Sequence, residues 1–485
     1  MKGAALPETS LGRRILDGVV WLTVVRVVGQ VLSWTITIYV VRILSPSDYG
    51  LMAMAGAYMS FVVLFNELGL SAAIIQRREL DRQDLSNVAW AVLAINVALY
   101  ALSYAAAPLI AAFYNEPRVA AVVRVAAIMF IVRSIGVVPS NMLSRELMFN
   151  RQSQAELIAN ASGAVATLSL ALKGFGVWSL VYGTIIVELV RTLFCFMLYP
   201  WKPEFTFSLS RVKDMVGFGW KVAVARFIWY LYANMDLLIA GKILGKTQLG
   251  YYAIAVQLAL MPLDRFMGST VSQVGFPAFS KVQDDPATVR RYYLKIVNLL
   301  AFVSFPVCWG IFLVADSAVR LFLSEKWLPA VLPLQILSVV AAFRSIHLIN
   351  APLEMAVGRP EVTIGNFALI VLVLAVSFFV GSSYGLEGLA YSWLVFPVVL
   401  LVTTSITLSL IDLSLGAYLK QLWHPFMGTG FMVLAVTLSQ RLVLDHHGLA
   451  ARLVGTVILG LVCYVVYYFL FNREMLKEAR GMLKR

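Results

Sequence analysis

The sequence predicts an all-α, polytopic membrane protein of about fourteen transmembrane helices. Three observations predict it. Apolar residues make up 60% of the 485-residue chain and charged residues only 13%, against roughly 25% charged in an average soluble domain. Mean hydropathy is +0.82. The apolar residues are gathered into runs of spanning length, each bounded by charge, proline or glycine. So few charges could not cover this much apolar surface in water, so lipid is the solvent for most of the chain.

In chain order the runs fall near 16–43, 49–75, 87–113, 119–142, 155–173, 177–199, 216–243, 249–273, 292–315, 328–351, 362–381, 386–411, 422–441 and 451–471. The first follows Arg13-Arg14 with no small-residue cleavage site, so it reads as a span and not a leader. The fifth and eleventh are short, and the thirteenth begins near Pro425. With the N-terminus inside, the inner segments (Arg13, Arg14, Arg77, Arg78, Arg145, Lys202, Arg290, Arg359 and the C-terminal tail among them) hold about twice the basic residues of the outer ones, as the positive-inside rule requires. Both termini are therefore predicted cytoplasmic. The formal net charge of +13 orients helices and meets anionic lipid headgroups; it does not mark a nucleic-acid surface. Cys195, Cys308 and Cys463 lie far apart in apolar runs, and His347, His424, His446 and His447 have no metal-ligand spacing, so neither metal nor cofactor is expected.

The chain repeats itself. ArgIleLeuSerProSerAspTyrGly (42–50) aligns without a gap on LysIleLeuGlyLysThrGlnLeuGly (242–250), and the register pairs Arg26 with Arg226 and Ala53 with Ala253. Weaker echoes pair Arg133 and Pro139 with Arg344 and Pro352. Six helices separate the copies, so both run in one direction. This predicts two pseudo-symmetric six-helix lobes, 1–200 and 201–415, followed by two added helices in 416–485.

Arginine inside a bilayer costs at least about 2.5 kcal/mol, yet Arg26, Arg133, Arg191, Arg226, Arg265 and Arg344 fall within predicted spans. Arg26, Gln30 and Trp34 share one helical face, as do Arg226, Tyr230 and Asn234. If the lobes pack face to face, these stripes line a cationic cavity with aromatic walls from Trp34, Trp229, Tyr230 and Tyr232, suited to an anionic ligand, because guanidinium binds phosphate through charge-assisted, often bidentate bonds. Arg26, Arg226, Arg133 and Arg344 are the candidate substrate-binding residues, and Gln30, Trp34, Tyr230 and Asn234 the candidate lining. Structural pairing with Glu67, Glu156, Glu188, Asp236 or Asp264, or snorkelling toward the inner headgroups, is the competing account, and it is favoured for Arg191 and Arg265, which have acids nearby in sequence. Asp236 and Glu67 are candidates for a coupling proton or sodium ion.

The turn at 42–50, GluLeuGlyLeuSerAlaAlaIleIleGln (67–76), and AsnMetAspLeuLeuIleAlaGlyLys (234–242) running into LeuGlyTyrTyrAla (249–253) together resemble the polysaccharide-transporter family (Wzx-type O-antigen or exopolysaccharide flippases) of the MOP exporter superfamily. The resemblance covers essentially the whole chain. It implies an undecaprenyl-diphosphate-linked oligosaccharide as substrate, alternating access through a cationic cavity, a bacterial inner-membrane location, and polysaccharide assembly proteins as partners. It also implies a cavity role for Arg26 and Arg226. A drug or cation exporter of the same fold is the alternative, and a glycan polymerase or ligase a more distant one. No Walker motif, metal cluster or nucleophile–base arrangement is legible, and an enzyme is not expected.

Overall fold

A computed structural model describes residues 33–66, 74, 81–205, 219–263, 269–442, 448–475 and 477. Among these residues there are helices and connecting turns but no strand. The backbone polar groups are thus satisfied within each segment, as hydrocarbon demands.

The helices are α1 (33–43), α2 (Pro46–Val63), α3 (Arg82–Tyr114), α4 (Arg118–Ala126), α5 (Ile128–Ile135), α6 (Val137–Arg145), α7 (Phe149–Leu172), α8 (Val177–Leu198), α9 (Gly219–Leu263), α10 (Ser269–Ser280), α11 (Pro286–Ala318), α12 (Val331–His347), α13 (Asn350–Ala356), α14 (Pro360–Ser382), α15 (Gly385–Ser392), α16 (Phe396–Ser409), α17 (Leu415–Leu442) and α18 (Leu449–Phe471). Among the described residues ten helical runs are long and apolar enough to cross a membrane. An eleventh forms if Arg118–Ile135 and Val137–Arg145, bent by 48°, are one span. The first two predicted spans lie partly outside the described residues. The seventh and eighth meet within α9, which is two helices joined across a kink. One residue, Gly245 (φ 75°, ψ 177°), interrupts the helix there, a backbone setting only glycine adopts without strain.

Local chemistry explains the boundaries. Asp285 caps α11, accepting from Ala287 N at 3.1 Å and Thr288 N at 3.3 Å, and Pro286 occupies the first turn, where its missing N–H costs nothing. The Thr288 hydroxyl, at 2.6 Å, is the main reason the Asp285 carboxyl titrates below the usual carboxylate range.

The described residues divide into two compact units. The first holds those within Met1–Ser45, Tyr58–Ala112 and Pro117–Ala223. Its centre is the antiparallel pair α7–α8, with α6 against α8, and a core of Ile74, Leu85, Val88, Val92, Val137, Val138 and Met142. The second holds Pro46–Ala57, Phe113–Glu116 and Val224–Arg485. Its main core joins α11, α12, α13 and α16 through Tyr293, Val297, Phe305, Ala341, Ile346, Leu353 and Leu408. The added pair α17–α18 packs on α11 through Met432, Val436, Tyr464 and Tyr468.

Candidate functional site

In the first unit the bend between α5 and α6 makes room for a polar cavity of about 200 Å³. Gly136 sits at the bend with no side chain, so Thr192 of α8 closes on it; a Cβ there would lie 2.8 Å from the Thr192 hydroxyl. Around this point gather Arg133 from α5, Ser140 and Asn141 from α6, and Glu188, Arg191 and Thr192 from α8. Arg191 donates to both oxygens of Glu188 at 3.0 and 3.1 Å and reaches Glu156 at 3.9 Å. It is the structural pair expected from its sequence neighbours. Its Nε is buried without a protein partner. Arg133, half-buried on the cavity wall, adds a second guanidinium.

In the second unit Arg344, near the end of α12, lies over the ring of Tyr232 from α9, 5.2 Å from its centroid. Tyr232 in turn packs against Trp229 (5.4 Å), Phe367 (5.3 Å) and Phe396 (6.3 Å). Trp229 is 46% exposed. A guanidinium on an aromatic face keeps its edge donors available in the plane of the group, which suits an oxyanion, while exposed indole suits the apolar face of a sugar. One turn along α9, Asp236 is buried. Its carboxylate accepts from the Tyr252 hydroxyl (2.8 Å) and Leu237 N (2.8 Å), and the Trp393 indole donates to that same hydroxyl (2.6 Å). Asp236 forms no ion pair among the described residues.

The other predicted residues fall as follows. Arg26, Gln30 and Glu67 lie outside the described residues, and Arg226 is within α9 but its side chain lies outside the description. Trp34 is half-buried, its indole N–H buried without a partner. Tyr230 is 6% exposed, and its hydroxyl donates to Ala57 O at 3.1 Å. A buried phenol takes the nearest backbone acceptor. Asn234 turns back to Tyr230 O at 3.1 Å. Helical spacing found the face but could not show what covers it. Of the rings around Tyr232, Trp229 was legible on the same helix, while Phe367 and Phe396 were missed because they come from two other helices.

The repeat motifs meet inside the second unit. A Cβ on Gly50 would lie 1.7 Å from Lys246 O, and one on Gly250 would lie 1.8 Å from Pro46 O. The two contacts map onto each other in the same register that aligns the sequences. Trp327, fully buried, takes the rings of Tyr49 (5.6 Å) and Tyr251 (5.9 Å) edge-on, and Lys246 pairs with Glu116 at 2.7 Å.

Ten or more apolar spans, arginines held within them, and a duplicated motif whose copies cross at Gly50 and Gly250 define a multi-pass membrane protein built on an internal repeat. The fold agrees: it is similar to the lipid II flippase MurJ in its inward closed conformation, with TM-score 0.76 over 94% of this chain and all of that one, at 14% identity. The family model described as "Polysaccharide biosynthesis protein" matches residues 39–332, and the chain belongs to that family. It is 29% identical to the teichuronic acid biosynthesis protein TuaB of Bacillus subtilis (strain 168), over 84% of this chain and 85% of that one. It is 24% identical to the succinoglycan biosynthesis transport protein ExoT of Rhizobium meliloti (strain 1021), over 91% and 90%.

Proposed function

We propose that this protein flips an undecaprenyl-diphosphate-linked oligosaccharide across the bacterial inner membrane by alternating access, for the assembly of an O-antigen or exopolysaccharide, with no covalent step. The observation that carries this reading is the guanidinium of Arg344 lying on Tyr232 within a long apolar span, beside the exposed Trp229. A diphosphate meets the charge and a sugar meets the rings. Arg133 supplies a second cation in the first unit, and Arg26 and Arg226 supply two more from the duplicated helices. The lobes are 1–200 and 201–415, with 416–485 as the added pair, and both termini face the cytoplasm. The turn at 42–50 is then on the outer side, so the Gly50–Gly250 crossing is a closed outer gate. The names of TuaB, ExoT and MurJ support the class of substrate.

The test is a deletion strain that makes a defined glycan. It accumulates lipid-linked repeat units on the inner leaflet, and the wild-type chain clears them. Arg26→Ala, Arg226→Ala and Arg344→Ala each insert normally and fail to clear them. Normal glycan assembly in the deletion strain would mean a drug or cation exporter. Accumulation of single units already on the outer face would mean a polymerase or ligase.

A further inference from the structure

The second unit buries a carboxylate for which the substrate path has no use. Glu354 of α13 closes the span Glu325–Ala356 and is 1% exposed. One oxygen accepts from Asn366 Nδ2 at 2.8 Å and meets the Thr407 hydroxyl at 2.5 Å; the other receives the Thr363 hydroxyl at 2.5 Å. All three partners are neutral. Among the described residues no Lys, Arg or His pairs with it.

The titratable groups on every neighbouring element are otherwise engaged. Tyr293 of α11 donates to Asn350 Oδ1 at 2.7 Å, and Asn350 donates to the Thr404 hydroxyl at 3.1 Å. Tyr418 of α17 packs on Tyr293 at 6.4 Å. His347 of α12 meets the Thr403 hydroxyl at 3.1 Å, and Arg344 is turned to Tyr232. Arg359 gives its backbone N–H to the Glu354 carbonyl at 2.9 Å, while its guanidinium pairs with Glu361 of α14. Neither α10, over its described side chains, nor α16 presents a titratable side chain here.

The deciding detail is a count of hydrogens. The Thr407 hydroxyl has one proton and two acceptors in reach, Glu354 Oε1 and the Thr403 carbonyl at 3.1 Å. With Glu354 ionised, Thr407 donates to it, and the carboxylate has three donors. With Glu354 protonated, the carboxyl donates to Thr407, and the Thr407 hydroxyl rotates to Thr403 O. Every polar group is satisfied in both states, at the expense of one hydroxyl rotation. Asp236 lacks this freedom. There the Trp393 indole donates to the Tyr252 hydroxyl, which donates to one Asp236 oxygen, and Leu237 N donates to the other; were the carboxyl instead to donate to Tyr252, that hydroxyl's own proton would have no other acceptor among the described residues.

We propose that Glu354 is a proton-binding site, with Thr407 as the rotor that serves both charge states, and that its filling and emptying accompany the transport cycle. The last clause rests on the transporter reading; the proton site itself does not.

The experiment uses the full-length protein in liposomes and dicyclohexylcarbodiimide, which adds to a protonated carboxyl in an apolar site. Mass spectrometry of the peptide holding Glu354 is expected to show modification that falls about tenfold per pH unit above its midpoint. Thr407→Val keeps the shape, removes the rotor, and is expected to move that midpoint. Glu354→Gln is a fixed mimic of the protonated form; it is expected to melt like wild type and to lose the dependence of lipid-linked oligosaccharide transfer on an imposed proton gradient. Modification that is absent, or indifferent to pH, overturns the site. Unchanged gradient dependence in Glu354→Gln overturns its link to transport and leaves a structural carboxylate. Should wild-type liposomes move no oligosaccharide at all, the transporter reading fails while the carbodiimide result still decides the proton site.

Discussion

Replacing Gly50 by alanine tests the crossing with a single methyl group. The added Cβ would stand 1.7 Å from Lys246 O, where ordinary contact begins at 3.4 Å, so the two backbones must part by at least the 1.7 Å difference. The obstacle is backbone, so no side-chain rotation relieves it. Overpacking of this kind costs about 1–3 kcal/mol, which shifts a two-state equilibrium away from the closed crossing by about 5- to 150-fold. Gly56, on the same helix, supplies the control: a Cβ there meets nothing within 4 Å, so Gly56→Ala improves helix propensity and leaves the crossing alone. The assay is the labelling rate of a cysteine at Leu249, a fully buried position beside Gly250, by a membrane-impermeant maleimide, in a background with Cys463 replaced. Gly50→Ala and Gly250→Ala should each raise the rate at least about fivefold, and Gly56→Ala should not. If Gly50→Ala labels and transports like Gly56→Ala, the crossing is not a tight closure and the argument from Cβ distances is wrong.

Two further outcomes follow from packing. Trp327→Ala empties the socket between Tyr49 and Tyr251 and should cost about 3–5 kcal/mol, read as a lowered Tm in detergent with the protein still inserted. Arg191→Ala strands the carboxylate of Glu188, which is 8% exposed, and should cost about 1–3 kcal/mol; adding Glu188→Gln should recover most of that loss in the same melt, and no recovery would mean the pair is not what Arg191 contributes.

Where sequence reasoning succeeded, the signal was local. The run predicted at 87–113 is Arg82–Tyr114, and the run at 177–199 is Val177–Leu198, because apolar length is written in consecutive residues. Arg191 with Glu188 was legible for the same reason, lying three residues apart on one helix. The bend in the fourth run was not. The predicted span 119–142 is broken around Gly136, where the deciding contact is Thr192, more than fifty residues on. The break between the seventh and eighth runs was legible: Gly245, within the loop expected at 244–248, is where α9 kinks. Among the candidate site residues, charge singled out Arg133 and Arg344, since guanidinium in an apolar run is conspicuous. Glu354 was passed over because what defines it is the company of Thr363, Asn366 and Thr407, which in sequence are ordinary small polar residues spaced along two other helices. Tyr230 and Trp34 show the converse: periodicity gives a shared face but not its exposure.

The C-terminal helix pair has a bearing on how the second unit can move. Lipid needs no covering over an apolar flank, so α17 and α18 are not there to hide α11 from solvent. They grip it instead. Tyr464 donates to Phe302 O at 2.8 Å, Gln440 to Leu313 O at 3.3 Å, and Phe302 wedges edge-on against Tyr468 at 4.8 Å. Both carbonyls belong to α11, whose ladder Pro306 interrupts by lacking an N–H. The pair therefore splints α11 on both sides of its weakest turn, and whatever rocking the unit undergoes, that helix travels as a stiff lever with its own outrigger.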